Sequence, residues 1–175
     1  MQEKKLIIFI DSGDTIINEE TEVRDEHDVV VKGDCIPGAD RMLKTLHGQG
    51  YKIAIVADGM YQTFQNLFSR NHIVEFFDAL VCSEVVSVTK PHPLMFYLAM
   101  KELGLDLDDV RRIVMVGNNL ERDIRGANNM GIVSVHLNWS PRYPKTSSRK
   151  EDIPDYVIKE PMELVGLADK LNSLL

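Results

Sequence analysis

The sequence has few cysteines and no long hydrophobic run. Only Cys35 and Cys82 occur among its 175 residues, and they are too far apart to form a closely spaced metal-binding pair. No apolar stretch approaches the roughly 20 residues that a membrane-spanning helix needs. The run at residues 6–10 follows a charged start and is too short for a secretory signal. These absences predict reduced thiols, no membrane partner and a cytoplasmic location.

Basic side chains are fewer than acidic ones. The chain carries 27 acidic against 20 basic side chains, which gives a net charge of −7. A protein that follows a nucleic-acid backbone needs a basic surface, because its lysines and arginines must neutralise phosphates. We therefore expect no nucleic-acid partner. The same negative charge disfavours adsorption to anionic membranes.

The chain does contain a regular alternation of apolar strands and helices. Continuous apolar runs such as residues 6–10 and 52–57 are typical of strands buried on both faces. The alternation predicts an α/β fold, a Rossmann-like three-layer α/β/α arrangement with a mostly parallel central sheet. The predicted strands are 6–10, 52–57, 79–82 with a continuation over Val85–Val88, 113–116, 132–137 and 156–158, and a closing helix covers 161–175. With no repeat and no dividing linker, one domain is expected over residues 1–175.

Polar residues follow the predicted strands at the points where the strands end. Ligands of open α/β sheets bind beyond the carboxyl ends of the strands, so these residues are expected on one rim. Carboxylate and amide oxygens suit a Mg²⁺ ion, and an ammonium group suits phosphoryl oxygens. The residues concerned are Asp11-Ser12-Gly13-Asp14-Thr15, Asp58-Gly59, Thr89-Lys90-Pro91, Gly117-Asn118-Asn119 and Asp123.

Three of these segments resemble the motifs of haloacid-dehalogenase-like hydrolases. The segment 11–15 resembles the first motif, Asp-x-Asp-x-Thr after an apolar strand, and Lys90-Pro91 resembles the lysine motif. The segment 117–123 resembles the fourth motif, Gly-Asp-x-x-x-x-Asp. The order and spacing match across nearly the whole chain. The resemblance implies the fold of that family without a large cap domain, and a short flap-like insertion at about residues 16–36.

The resemblance also implies roles for individual residues. Asp11 would be the nucleophile that forms an aspartyl-phosphate, Lys90 would neutralise charge, and Asp123 would hold Lys90. Mg²⁺ would bind the Asp11 carboxylate, the main-chain carbonyl of Gly13 and the side chain of Asn118. The implied phosphate- and substrate-binding residues are Ser12, Thr15, Ala57, Asp58, Gly59 and Lys90.

The sequence departs from the family pattern at three positions. Gly13 replaces the second aspartate of the first motif, which protonates the leaving group and then activates water. Ala57 replaces a hydroxyl side chain that donates to the phosphate, and Asn118 replaces an acid of the fourth motif. General acid–base help is typically worth about 10²–10⁴-fold, so the loss at position 13 predicts weakened hydrolysis of esters with poor leaving groups.

Five residues near the nucleophile are considered as replacements for the missing acid. Asp14 is one position late, and adjacent side chains in an extended turn point apart, which argues against it. Glu19, Glu20, Glu22 and His27 lie in the loop that follows the nucleophile. The sequence leaves the choice among these four open.

Ordinary structural explanations exist for several other residues. Asp123 is also what the first turn of a helix favours, and Asp58 suits a turn. Trp139, with Arg142 and Tyr143, can contact a substrate or, the favoured interpretation, pack a loop.

Three functions from different classes remain open on the sequence. The leading one is a Mg²⁺-dependent phosphatase acting through Asp11, on a small-molecule or bulky phosphorylated substrate. The second is a non-catalytic phosphate- or metabolite-binding protein on a degenerate scaffold, and the third is dehalogenation, which needs a closing cap that the sequence lacks. An open site also suggests a homo-oligomer in which a second subunit covers it.

Overall fold

The computed structural model describes residues 4–175, and its centre is a six-stranded parallel sheet. The strand order is β5-β4-β1-β6-β7-β8, and every neighbouring pair in this sheet is parallel. The predicted Rossmann-like α/β/α fold is confirmed. The strands are β1 (Ile7–Ile10), β2 (Val23–Arg24), β3 (Val30–Lys32), β4 (Lys52–Ala57), β5 (Ala79–Cys82), β6 (Ile113–Gly117), β7 (Val133–Leu137) and β8 (Tyr156–Ile158).

Helices cover both faces of the sheet. They are α1 (Ala39–Gly48), α2 (Tyr61–Arg70), α3 (Ser83–Val86), α4 (Pro93–Glu102), α5 (Arg125–Met130) and α6 (Glu163–Asn172). Short 3₁₀ turns occur at Glu19–Thr21, Val74–Phe76, Leu107–Arg112 and Lys150–Asp152. A π-helical turn at Leu120–Ile124 leads into α5. In the part of the chain that the structure describes, no helix has the length and apolarity needed to span a membrane.

The central strand β1 shows how the sheet is buried on both sides. Ile8 and Ile10 belong to a core with α1, α2 and α6, whereas Ile7 and Phe9 belong to a second core with α4 and α5. All four side chains are buried, because neighbouring side chains of a strand point to opposite faces. The continuous apolar sequence of β1 is therefore a consequence of two covered faces.

The predicted continuation of the third strand over Val85–Val88 is wrong. The chain turns into the short helix α3 directly after Cys82. β5 is an edge strand whose one partner, β4, ends with the pair Ala57 and Cys82. Further strand residues would have had no ladder to join.

The insertion at about residues 16–36 is attached to the body of the protein. It contains the 3₁₀ turn and the antiparallel hairpin β2–β3. The Val30 N–H donates to Thr63 Oγ1 at 3.1 Å, and Asn66 Nδ2 donates to the Val30 carbonyl at 2.9 Å. Asn71 Nδ2 donates to the Gly33 carbonyl at 2.9 Å. These bonds to α2, and to Asn71 directly after it, fix the hairpin beside the carboxyl ends of the strands.

Candidate active site

A cavity of about 560 Å³ opens at the carboxyl ends of the central strands. The ends of β1 and β6 and the turn before α4 all reach it, which is why residues far apart in sequence meet there. Among the predicted site residues, those lining the cavity are Asp11, Ser12, Gly13, Asp58, Gly59, Lys90, Asn118 and Asp123. Ala57 and Thr15 are buried and do not line it.

A buried lysine connects two carboxylates at the bottom of this cavity. Lys90 Nζ lies 2.7 Å from Asp11 Oδ1 and 2.6 Å from Asp123 Oδ1. The Lys90 side chain is 2% exposed. Burial alone lowers the pKa of this ammonium group, but the carboxylates of Asp11, Asp123 and Asp58 outweigh burial and raise the pKa above its ordinary value. Lys90 is therefore a fixed positive charge beside Asp11.

Asp123 is held from two sides. Its Oδ1 accepts from Lys90, and its Oδ2 accepts from the Asn119 N–H at 3.0 Å. Gly117 makes this possible, because a Cβ at that position would overlap the Asp123 carboxylate. Burial raises the pKa of Asp123 and the nearby Asp11 charge adds to the increase, while Lys90 opposes it. One lysine thus faces two carboxylates, so removing its ammonium would leave both carboxylates without a partner charge.

Asp58 fixes the segment that carries Lys90. Its Oδ1 accepts from the Lys90 N–H at 3.0 Å, and its Oδ2 lies 3.4 Å from Arg122 Nη1. The neighbouring Gly59 N–H donates to Ser83 Oγ at 2.9 Å. The sequence pattern did not identify Ser83, whose role depends on α3 lying where a strand was predicted. Within the described structure, Asp58 therefore positions the Lys90 segment, and the Gly59 N–H already has a hydrogen-bond partner.

Pro91 and His92 follow Lys90 in the same segment. The Lys90–Pro91 peptide bond is cis. His92 caps α4, since its Nδ1 accepts from the Leu94 N–H at 3.2 Å.

Asn118 ends β6 with a buried side chain. Its Nδ2 has no hydrogen-bond partner among residues 4–175, and buried polar groups nearly always have one. His136 Nε2 lies 3.1 Å from the Asn118 carbonyl and holds the backbone. Burial lowers the pKa of His136, so the neutral imidazole that can donate this bond is favoured. Asn118 lines the cavity, where this N–H could donate to a ligand and rotation of the amide would present its oxygen instead.

The described residues contain no cluster of three or more histidine, cysteine or acidic side chains that could hold a metal. Among the residues that line the cavity, Asp11, Gly13 and Asn118 are the expected metal ligands, and they carry one carboxylate, one main-chain carbonyl and one amide. Mg²⁺ typically uses one or two carboxylates and completes its shell with waters and substrate phosphate. The three oxygens of this donor set fit such an ion.

The carboxyl group of Glu19 lies beside Gly13. A Cβ added at Gly13 would collide with Glu19 Oε1, so this carboxyl occupies the space that a longer residue at position 13 would fill. Burial and repulsion from Asp14 raise the pKa of Glu19 to about 7, against the opposing attraction of Arg142. Of the other candidates, Glu20 and His27 are exposed and lie away from the cavity, and Glu22 is paired with Arg24 at 2.8 Å.

Asp14 and Arg142 hold the turn that carries Glu19. Asp14 Oδ1 accepts from the Glu19 N–H at 3.0 Å, and Arg142 Nε donates to Asp14 Oδ2 at 2.8 Å. Arg142 Nε also lies 3.4 Å from Glu19 Oε2. Asp14 is fully buried and does not line the cavity, in agreement with the expectation that it points away from the nucleophile. Spacing gives no signal for the Asp14–Arg142 pair, whose members are 128 positions apart.

The outer wall of the cavity combines the hairpin, α2 and the loop after β7. Arg24, Thr63 and Tyr143 contribute to it, and sequence reasoning missed the first two. Trp139 packs against the core instead, as its interpretation as a packing residue predicted. The wall combines these polar side chains with apolar ones such as Phe64 and Leu67.

The fold and the site define an α/β protein whose ligand site, a carboxylate–lysine–carboxylate group, lies at the carboxyl ends of a parallel sheet. The chain belongs to the haloacid dehalogenase-like hydrolase family, which matches residues 10–137, more than half of its length. The resemblance of the three motifs is thereby confirmed.

Curated relatives carry phosphatase names. A glyceraldehyde 3-phosphate phosphatase of Methanopyrus kandleri is 33% identical over 129 residues, which cover 74% of this chain and 54% of that protein. The pyrophosphatase PpaX of Halalkalibacterium halodurans is 32% identical over 130 residues, which cover 74% and 58%. The chain thus spans about half the length of the curated relatives it matches.

Solved structures show the same fold. The magnesium-bound HAD-hydrolase YfnB of Bacillus subtilis superimposes with a TM-score of 0.78 at 17% sequence identity, covering 95% of this chain and 100% of that one. At this identity the likeness concerns the fold alone.

Proposed function

We propose that the chain is a Mg²⁺-dependent phosphatase that acts through an aspartyl-phosphate at Asp11. The observation that carries the proposal is the buried Lys90 between Asp11 and Asp123 on the floor of an open cavity. An incoming phosphate is an anion, and it must approach the negatively charged carboxylate of the nucleophile. A fixed cation beside both groups lowers this repulsion. The phosphatase names of the relatives support the same class of substrate.

The proposed chemistry takes place at the second oxygen of Asp11. Lys90 binds Oδ1 at 2.7 Å, which leaves Oδ2 to attack phosphorus. The bond from phosphorus to the leaving oxygen breaks as the bond to Asp11 forms, and the leaving oxygen takes the electron pair. Water then attacks the aspartyl-phosphate, which restores the carboxylate and releases phosphate. Lys90 neutralises charge in both steps.

In this proposal Asp11, the Gly13 carbonyl and Asn118 would hold the Mg²⁺ ion. When bound, Mg²⁺ would supply further positive charge to the phosphoryl oxygens. An amide at position 118 carries no charge, so weaker Mg²⁺ binding is expected than with a carboxylate there. The unpartnered buried amide of Asn118 supports a ligand at this point.

The proposed substrate is a small phosphate monoester in a reducing, cytoplasmic setting. The cavity of about 560 Å³ has room for a small molecule, and Arg24 and Tyr143 on its wall offer polar contacts. The free thiols Cys35 and Cys82 support the reducing setting. A single domain with the 16–36 segment as a flap, and a second subunit that covers the rim, stay predictions.

The test of this function is hydrolysis of p-nitrophenyl phosphate with Mg²⁺ and with a chelator, by wild type and Asp11→Asn. We expect turnover that needs Mg²⁺ and falls to background in Asp11→Asn, because the amide cannot serve as the nucleophile. Glu20→Gln is the matched control, since Glu20 is exposed and outside the cavity. Full activity in Asp11→Asn would overturn the proposal.

A second candidate is a non-catalytic phosphate- or metabolite-binding protein. Two observations favour it: Ala57 offers no side-chain donor, and the Gly59 N–H is already bonded to Ser83. Both reduce the number of donors that could stabilise the charge on the phosphoryl group in a transition state, so they weigh against catalysis. Tight binding of inorganic phosphate by calorimetry, with no hydrolysis of the aryl ester, would select this candidate.

A further inference from the structure

We infer that Glu19 is the general acid and general base of this site, an inference that rests on the phosphatase activity proposed above. An alkoxide is a poor leaving group unless it receives a proton as the bond to phosphorus breaks. The water that hydrolyses an aspartyl-phosphate must in turn lose a proton. A carboxyl group placed for both transfers is typically worth about 10²–10⁴-fold in rate.

The other acidic side chains of the cavity are occupied. Asp123 binds Lys90 and the Asn119 N–H through both its oxygens. Asp58 binds the Lys90 N–H and faces Arg122, so it too is engaged on both oxygens. Three further acidic side chains line the cavity. Glu22 and Asp28 both face Arg24, at 2.8 Å and 3.3 Å. Glu84 accepts a hydrogen bond from the Tyr61 N–H. Burial raises the pKa of the Tyr143 phenol, so that group is a weaker acid than a carboxyl.

Glu19 differs from all of these in how it is held. Its backbone N–H is fixed by Asp14, and one carboxyl oxygen, Oε2, lies 3.4 Å from Arg142 Nε. The other oxygen, Oε1, occupies the space beside Gly13, two positions after the nucleophile. The side chain is 28% exposed and lines the cavity, so it can reach a bound ester. Gly13 supplies the room and the Glu19 turn supplies the acid.

The two proton transfers balance. In the first step Asp11 Oδ2 bonds to phosphorus, the ester P–O bond breaks, and its electron pair takes the proton of the Glu19 carboxyl, which gives the alcohol. In the second step the Glu19 carboxylate takes a proton from water as the water oxygen bonds to phosphorus. The P–O bond to Asp11 breaks, its electron pair restores the Asp11 carboxylate, and phosphate leaves.

The test compares two esters that differ in leaving group. For Glu19→Gln we expect kcat/KM for an alkyl phosphate such as glycerol phosphate to fall by about 10²–10⁴-fold. For 2,4-dinitrophenyl phosphate, whose phenolate leaves without a proton, kcat/KM should stay within a few-fold of wild type. With this ester, rapid mixing should show a burst of phenolate followed by slow turnover, because the second step still lacks its base. Glu20→Gln, on the same turn, should match wild type with both esters.

A rescue variant separates chemistry from folding. Glu19→Ala should lose the alkyl ester activity, and the double variant Gly13→Asp/Glu19→Ala should regain part of it. A carboxyl at position 13 would enter the space that Glu19 Oε1 vacates. Thermal unfolding of all variants identifies any that fail to fold, and the two-ester ratio within one variant is independent of the folded fraction.

Each outcome decides between the two proposals. An equal loss with both esters, or no loss in Glu19→Gln, overturns the role of Glu19 while turnover that depends on Asp11 keeps the phosphatase. If the wild type hydrolyses neither ester, the phosphatase proposal fails and this inference fails with it. Selective loss on the alkyl ester, with rescue by Gly13→Asp, supports the inference.

Discussion

The two sides of the cavity are built from different parts of the fold. The lysine side, defined by Asp11, Lys90 and Asp123, lies at strand ends and the turns that follow them, and its side chains are at most 12% exposed. The flap side, defined by Glu19 and Arg142, lies on loops, and these side chains are 28% and 36% exposed. The sheet thus fixes the charges nearest the nucleophile, while the loops carry a group that can move and be replaced.

Two glycines express the same difference. Gly117 leaves room for an Asp123 carboxylate that Lys90 and Asn119 hold in place, whereas Gly13 leaves room for the end of the flexible Glu19 side chain. A side chain added at position 117 would collide with the Asp123 carboxylate, which its hydrogen bonds hold in place. A side chain added at position 13 would collide with the end of Glu19, which can turn aside.

The largest expected effect is that of Lys90→Met on the lysine side. Removing the ammonium leaves the Asp11 and Asp123 carboxylates with no compensating charge, and breaking a buried ion pair from one side costs about 3–5 kcal/mol. Denaturant unfolding measures the loss. Lys101→Met, at an exposed lysine of α4, is the control and should change stability by less than about 0.5 kcal/mol. A loss below about 1 kcal/mol in Lys90→Met would contradict the description of a fixed, buried triad.

The pH dependence of the same variant sharpens the result. Burial raises the pKa of Asp123 in the folded protein, and without the lysine only the hydrogen bond from the Asn119 N–H opposes that increase. A group whose folded pKa is raised contributes stability below its unfolded pKa and loses that contribution as pH rises through the folded pKa. The destabilisation by Lys90→Met should therefore be smaller near about pH 4 than near neutrality. A loss independent of pH would indicate that packing, not charge, is responsible.

The paired glycine variants test the comparison with a smaller effect. Gly117→Ala should cost about 1–3 kcal/mol, as overpacking does in well-ordered sites. Gly13→Ala should cost under about 1 kcal/mol, because the end of Glu19 can swing towards solvent. Thermal unfolding measured in parallel checks both. Equal costs would show that the two sides are equally rigid.

A comparably small effect is expected where α3 follows β5. Ser83→Ala removes the acceptor of the Gly59 N–H, a loss of about 1 kcal/mol in unfolding free energy. Ser69→Ala, at an exposed position of α2, is the control. A loss no greater than that of the control would remove Ser83 from the site's supporting contacts.

The same division decides what the sequence could predict. β4, β5 and β8 have the predicted bounds, because unbroken apolar runs and strand-end polar residues are local signals. The residues at the ends of β1, β4 and β6 meet as expected, since a parallel sheet brings its carboxyl ends together. The Val85–Val88 strand was wrong because periodicity does not reveal where a neighbouring strand ends. Glu19 remained one of four candidates because its placement depends on Arg142, far along the chain.

The central claim is a covalent phosphoryl group on Asp11 in a site whose base is Glu19. The most direct measurement is acid quenching of Glu19→Gln with 2,4-dinitrophenyl phosphate and Mg²⁺, followed by proteolysis and mass spectrometry. We expect the peptide containing Asp11 to gain the mass of one phosphoryl group, since the second step is slowed, and the same peptide of Asp11→Asn to gain none. Phenolate release with an unmodified Asp11 peptide, and equal release by Asp11→Asn, would contradict this claim.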